Sequence, residues 1–165
     1  MPRKVKNKVV DQSRVNEHLI NLLSRQDYTE KALRLKLKKN FPENPEFHEP
    51  AIEYAQIYYP IDDLAFGQRF LENQLREGVG KNKIKQRMYN RHFPREVIDT
   101  VLSSEEADQH DYLSDAIRLR EAKFGTEPFS DIKAKAKAQR FLVGKGFSFD
   151  VVNQAINHRC DDDEA

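Results

Sequence analysis

The sequence predicts an all-α fold of three tandem three-helix repeats, stacked into an elongated, curved body, and three observations lead there. Apolar residues recur at three- and four-residue spacing almost throughout, and no stretch alternates apolar and polar long enough to make a strand. Helix-starting and helix-stopping residues punctuate the chain at short intervals. The whole pattern returns with a period of about fifty residues, the mark of stacked units that share their cores with neighbours.

Taken in order, Ser13 is placed to cap a first helix with Val15, Leu19, Leu22 and Leu23 on one face. Thr29 opens a second with Leu33 and Leu37, stopping near Asn40 and Pro42. Pro50 suits the first turn of a third, in which Ile52, Ala55 and Ile57 precede Pro60. The order then restarts. Asp62 or Asp63 caps a helix with Leu64, Phe66, Phe70, Leu71 and Leu75 that ends at Gly78. Gly80 opens another with Ile84 and Met88, and Phe93-Pro94 leads into one with Val97, Ile98, Val101 and Leu102. A third round runs from about Glu106 to Gly125, from Ser130 to about Gly144, and from Ser148 to His158.

The expectation is therefore nine helices in repeats at 13–60, 61–104 and 105–158. A basic segment at 1–12 and an acidic tail at 159–165 are expected to be flexible. The caps Thr29, Gly80 and Ser130 lie 51 and 50 residues apart, which aligns Leu33 with Ile84 and Ala134, and Leu37 with Met88 and Ala138. Each middle helix is followed by a Phe and a helix-starting residue, at Phe41-Pro42, Phe93-Pro94 and Phe147-Ser148.

Composition removes several function classes. Ten Phe and six Tyr in 165 residues argue against wholesale disorder, although a third of the chain is charged. Apolar runs are too short to span a bilayer, and the N-terminus lacks the apolar core of a secretory signal. The single cysteine, Cys160, cannot form an internal disulfide or a cysteine metal site. A protein of a reducing compartment, the cytoplasm, is the expectation.

The net charge of +1 conceals a strong segregation. Residues 29–40, 80–93 and 130–146, with the first fourteen positions, hold 20 of the 28 cations and three of the 27 acids. In the middle helices Lys36, Arg87 and Lys137 flank the buried stripe on one side, and Arg34, Lys85 and Lys135 on the other. Lys83, Lys133 and Arg140 add to the same faces. One such helix is ordinary solvation; three at one period form the footprint of a polyanion partner, gripped through phosphates without sequence preference. Helix-turn-helix readout of duplex DNA is the alternative, but Lys outnumbers the Asn, Gln and Arg that read bases.

Catalytic and metal chemistry are not expected. Asp62-Asp63 reads as a helix cap, and the histidines at 18, 48, 92, 110 and 158 show no ligand spacing. Gly78-Val79-Gly80-Lys81 lacks the strand and the Lys-Ser/Thr end of a nucleotide loop, and reads as a helix stop followed by a helix start. Tyr58, Tyr59, Phe66 and Phe70 are spaced for core packing. No nucleophile, base and orienting group come together. No cofactor is expected.

Across roughly residues 15–158 the chain resembles the RecX family. Leu23-Ser24-Arg25-Gln26-Asp27-Tyr28-Thr29, followed by Leu33 and Leu37, resembles the family's first unit. Ile61-Asp62-Asp63-Leu64-Ala65-Phe66-Gly67-Gln68-Arg69-Phe70 is similar to its Asp-Asp-x-x-Phe-Ala-x-x-Phe segment. Gly80 with Ile84, Met88 and Phe93 resembles the helix that follows. Lys123-Phe124-Gly125, Gln139-Arg140-Phe141-Leu142 and Gly146-Phe147 resemble the ending of the third unit. The resemblance implies a non-enzymatic regulator of DNA repair and recombination that binds the filament of RecA on single-stranded DNA. It would lodge in the filament groove or at its growing end, limit extension, and depress recombinase, ATPase and coprotease activities. The partners implied are RecA and single-stranded DNA, with weak duplex binding, no membrane, and a monomeric regulator.

The chain departs from the family pattern at Ala32, where Glu would complete a capping box. Asn40 and His92 stand where a glycine usually closes the middle helix, and of the two His92 suits a left-handed turn less well. Gly67 replaces an alanine, at a cost of about 1 kcal/mol inside a helix.

Overall fold

The computed structural model describes residues 9–159, which fold into ten α-helices and one short 3₁₀ turn with no strand among them. Residues 1–8 of the basic segment, and Cys160 with the rest of the acidic tail, lie outside the described residues. The chain divides into two compact units, the first ending at Phe66 and the second beginning at Gly67.

The first unit holds α1 (Gln12–Leu23), α2 (Glu30–Asn40), a 3₁₀ turn (Pro45–Phe47), α3 (His48–Tyr58) and the start of α4 (Asp63–Arg76). Asp11, not Ser13, caps α1, its carboxylate accepting from Arg14 N–H at 2.9 Å. Thr29 caps α2 as expected, accepting from Ala32 N–H at 3.2 Å. Val15, Leu19, Leu33, Leu37, Ala51, Ile52 and Ala55 close the core. Each large side chain among them contributes about 1.5–3 kcal/mol by leaving water. Ala51 and Ala55 are small enough to let α3 lie close against α1. Phe41-Pro42 does not start a helix directly, because the 3₁₀ turn intervenes. The buried stripe of α3 runs out at Ala55: Ile57 is 73% exposed, and Tyr58, 59% exposed, instead faces Tyr54, hydroxyl to hydroxyl at 3.4 Å. Those two positions are not core.

Asn40 stays helical, and its amide donates to His18 Nε2 at 3.0 Å while His18 meets the edge of Phe41. Burial, and then the Lys36 ammonium, hold His18 below its ordinary 6.5. The folded chain thus resists a proton that the unfolded chain accepts, so this contribution is complete above pH 6.5 and declines as pH falls from there through the folded value. Urea unfolding at pH 5 and 7.5 should show lower stability at pH 5, and His18→Gln should narrow that difference; an unchanged difference would assign it elsewhere.

The second unit continues α4 and adds α5 (Lys81–Asn90), α6 (Arg95–Leu102), α7 (Glu105–Gln109), α8 (Tyr112–Phe124), α9 (Ile132–Gly144) and α10 (Phe149–Asn157). α4 ends in a left-handed Gly78 (φ 70°), and α5 in a left-handed His92 (φ 62°), so histidine keeps the turn that glycine would make more cheaply. A Cβ on Gly67 would stand 3.0 Å from a Val101 methyl and 3.1 Å from one of Val97, so α4 lies close against α6 there.

The long helix expected from Glu106 to Gly125 is broken in two. Asp111 accepts from the N–H and hydroxyl of Ser114 (3.0 and 2.6 Å) and restarts the chain as α8, while Ser104 caps the extra helix α7. Asp131 rather than Ser130 caps α9, yet the buried register still counts from Ser130, with Ala138 and Leu142 inside and Ala134 half-buried. Ala116, Phe147, Val152, Ala155 and Ile156 complete this core.

Candidate nucleic-acid interface

The residues of the family-like signature turn out to be structural joints. Asp62 caps α4, accepting from Ala65 N–H at 2.9 Å. Its neighbour Asp63 accepts from Glu30 N–H, the first amide of α2, at 3.0 Å, and burial pushes its carboxyl upward. Adjacent carboxylates thus serve two different helix starts. Phe66, Phe70 and Ile84 are buried, with Phe70 against Phe93 at 5.7 Å between ring centres.

Gly80 and Gly146, distant in sequence, meet main chain to main chain. Gly80 N–H donates to Lys145 O, and Asn82 N–H to Gly146 O, both at 3.0 Å. Carbonyls that follow α9 therefore satisfy the amides at the start of α5, where Gly80 offers no side-chain cap.

Lys145, whose carbonyl accepts from Gly80, also lines a cleft of about 550 Å³ within the second unit. Lys83 and Arg87 from α5 line it beside Arg140 and Lys145, so three of the predicted cations converge there. The Gly78-Val79 turn forms its rim and Leu119 and Phe141 an apolar wall. Glu77 is the one carboxylate in the lining.

The basic residues differ in what neutralises them. Arg34 is a strut: it donates to Glu49 at 2.5 and 3.1 Å and to Glu30 at 2.7 and 3.1 Å, and this pairing holds Glu49 below its ordinary value. Lys81 pairs with Asp108 at 2.7 Å. Arg87 donates to Gln74 and lies 3.4 Å from Glu77. Lys135 donates to Asn157 at 3.1 Å. Lys36 sits over the Tyr28 ring at 5.2 Å. Among the described residues no carboxylate lies within ion-pair distance of Lys83, Lys85, Lys133, Lys137, Arg140 or Lys145.

Two features escape a reading by composition. Phe141 holds Lys123 Nζ at 4.1 Å and Lys145 Nζ at 5.4 Å from its ring centre, placing two ammonium groups with a ring in place of a carboxylate. Arg120 is 1% exposed and spends its guanidinium on the carbonyls of Gly125 and Glu127, at 2.6 and 2.7 Å, over the Phe129 ring. Its place four residues after buried Ala116 is the signal that could have shown it. Among the described residues no three His, Cys, Asp or Glu gather as a metal site, and no helix is long and apolar enough to cross a membrane.

Comparison with known proteins adds a second line of evidence. A model of the third three-helix domain of RecX matches residues 110–156. The regulatory protein RecX of Acinetobacter baylyi is 35% identical over 142 residues, spanning 86% of this chain and 85% of that one. The RecX of Halorhodospira halophila is 29% identical, covering 91% of each chain. A crystal structure of a regulatory protein RecX superposes with a TM-score of 0.68 at 23% identity, over 94% of this chain and 84% of the other. That of RecX from Lactobacillus salivarius gives 0.65 at 19%, over 88% and 94%. At those identities the structures speak for the fold alone.

Proposed function

The chain belongs to the RecX family of regulatory proteins, and from that premise we propose that it binds the RecA–single-stranded DNA filament and restrains its extension. Recombinase, ATPase and coprotease activities fall as a consequence. It works as a regulator rather than an enzyme, in the cytoplasm where filaments form. The repeats span 13–60, 61–104 and 105–158, and their middle helices supply the contacts.

One observation carries this reading: cations of α5 and α9 with no described carboxylate within ion-pair distance, two of which, Lys83 and Arg140, line one cleft together with Lys145. Uncompensated positive charge in a concave site attracts phosphate strongly, because each contact releases counterions. Lys83, Lys85, Lys133, Lys137 and Arg140 therefore take the larger share, with Lys36, Arg87 and Lys135 beside them. Arg34, already paired twice, takes the smaller.

Titrating this protein into RecA turning over ATP on single-stranded DNA tests the proposal. Inhibition well below one protein per RecA indicates capping of filament ends; inhibition only near equivalence indicates occupation of the groove. An unchanged ATPase at excess regulator overturns the proposal.

A further inference from the structure

We infer that the cleft between α5 and α9 is a self-contained site for successive phosphates of one nucleic-acid strand, in which Phe141 is the positioning residue for Lys145, which lines the cleft, and for Lys123, which shares the Phe141 ring without lining it. The inference deepens the proposed function, since the strand would be the one inside the filament. All of its residues lie in the second unit.

Charge count comes first. Lys83, Arg87, Arg140 and Lys145 face a recess whose single carboxylate, Glu77, lies beside Arg87. A recess of about 550 Å³ falls in the range of ligand sites rather than surface dimples, and one strand can bend its backbone into it. A duplex keeps its phosphates on a convex cylinder and meets only the rim.

The ring comes second. A lysine placed by a carboxylate has lost much of its field to the partner. A lysine placed by an aromatic face is held through the ring quadrupole and keeps its net charge. Phe141 does this for two lysines at once, and Phe124 braces it edge-on at 5.6 Å between centres. The apolar wall therefore fixes cations where they remain available to an anion.

The test uses the full chain without RecA, with anisotropy of a labelled oligo-dT followed between about 50 and 200 mM salt. Each phosphate contact on a single strand contributes about −0.7 to the slope of log K against log salt. Lys83→Gln with Arg140→Gln should flatten the slope by about 1.4 and weaken binding about tenfold at the low end. Arg95→Gln, at an exposed position on α6 outside the cleft, should leave both unchanged. Phe141→Leu should flatten the slope through displaced lysines, and Phe141→Tyr, which keeps the ring, should restore it. Lys123→Gln with Lys145→Gln, both on exposed positions, should reproduce the Phe141→Leu result without disturbing the fold.

Competition by inorganic pyrophosphate separates the sources of phosphate: displacement near millimolar shows that free phosphate chains share the cleft, and persistence shows that the polymer backbone is required. Equal slopes in wild type and cleft variants, or an equal loss from Arg95→Gln, overturn the inference. If RecA inhibition then survives, the proposed function stands on protein contacts instead.

Discussion

Alanine at Gly80 or at Gly146 should each lower the stability of the second unit by about 3 kcal/mol, the upper range for an overpacked site. A Cβ on Gly80 would fall 2.2 Å from the carbonyl carbon of Gly146 and 2.4 Å from Phe147 N. One on Gly146 would fall 2.3 Å from Lys83 Cβ and 2.4 Å from Lys83 N. These are backbone atoms, or the first atom beyond it, so no rotamer relieves the overlap. Only parting α5 from α9 does, and that breaks the two inter-helix hydrogen bonds, about 1 kcal/mol each. Gly146 is the more severe, since at φ 94° any L residue adds backbone strain.

The two substitutions should also be strongly non-additive, because one gap relieves both clashes. Gly144→Ala serves as control: a Cβ there meets nothing within 4 Å, and it ends a helix where alanine is the better former. Urea unfolding followed by circular dichroism measures all four proteins. A Gly80→Ala midpoint equal to that of Gly144→Ala would show that the joint is not tight.

Arg120→Met should cost about 2–3 kcal/mol and, more tellingly, loosen the segment between α8 and α9. Methionine keeps the apolar stem and most of the volume, so little cavity opens. What disappears are two charge-assisted hydrogen bonds to Gly125 and Glu127, each worth about 1.5–3 kcal/mol before desolvation is counted. Desolvation offsets part of that, because Nε finds no partner among the described residues. Both carbonyls also belong to exposed residues and can turn to water. The loop bears most of the loss, since Arg120 holds two of its carbonyls while Phe129 is left to anchor it to the core. Limited proteolysis should cut residues 125–131 faster in Arg120→Met. Arg120→Lys should rescue little, because an ammonium cannot span both carbonyls while lying flat on Phe129. Equal cutting in all three would assign the loop's order elsewhere.

Helix existence was legible because periodicity and caps agree across most of the chain. Exact starts were less so. Asp11 beside Ser13 and Asp131 beside Ser130 are competing caps of similar strength, and tertiary packing chooses which backbone turns extended. The break at Asp111 hid inside a stretch that reads as one helix, because a single capping aspartate carries little local signal.

Charge was legible as a count and a period, but not as availability. Whether a cation is spent depends on partners far along the chain: Glu49 for Arg34, Asp108 for Lys81, Gln74 for Arg87. Gly80 stands out alone as a helix start, and Gly146 as part of the third unit's ending; that they touch is a fact of packing which spacing cannot supply.

Asp63 bears on how this protein is made. Asp63 follows Glu30 by 33 residues and lies beyond the end of α3, so the ribosome releases the first amide of α2 before the carboxylate that accepts it. The start of α2 thus gains this hydrogen bond only as translation reaches α4. A fragment stopped at Pro60 would lack it, and one extended to Phe66 would have it.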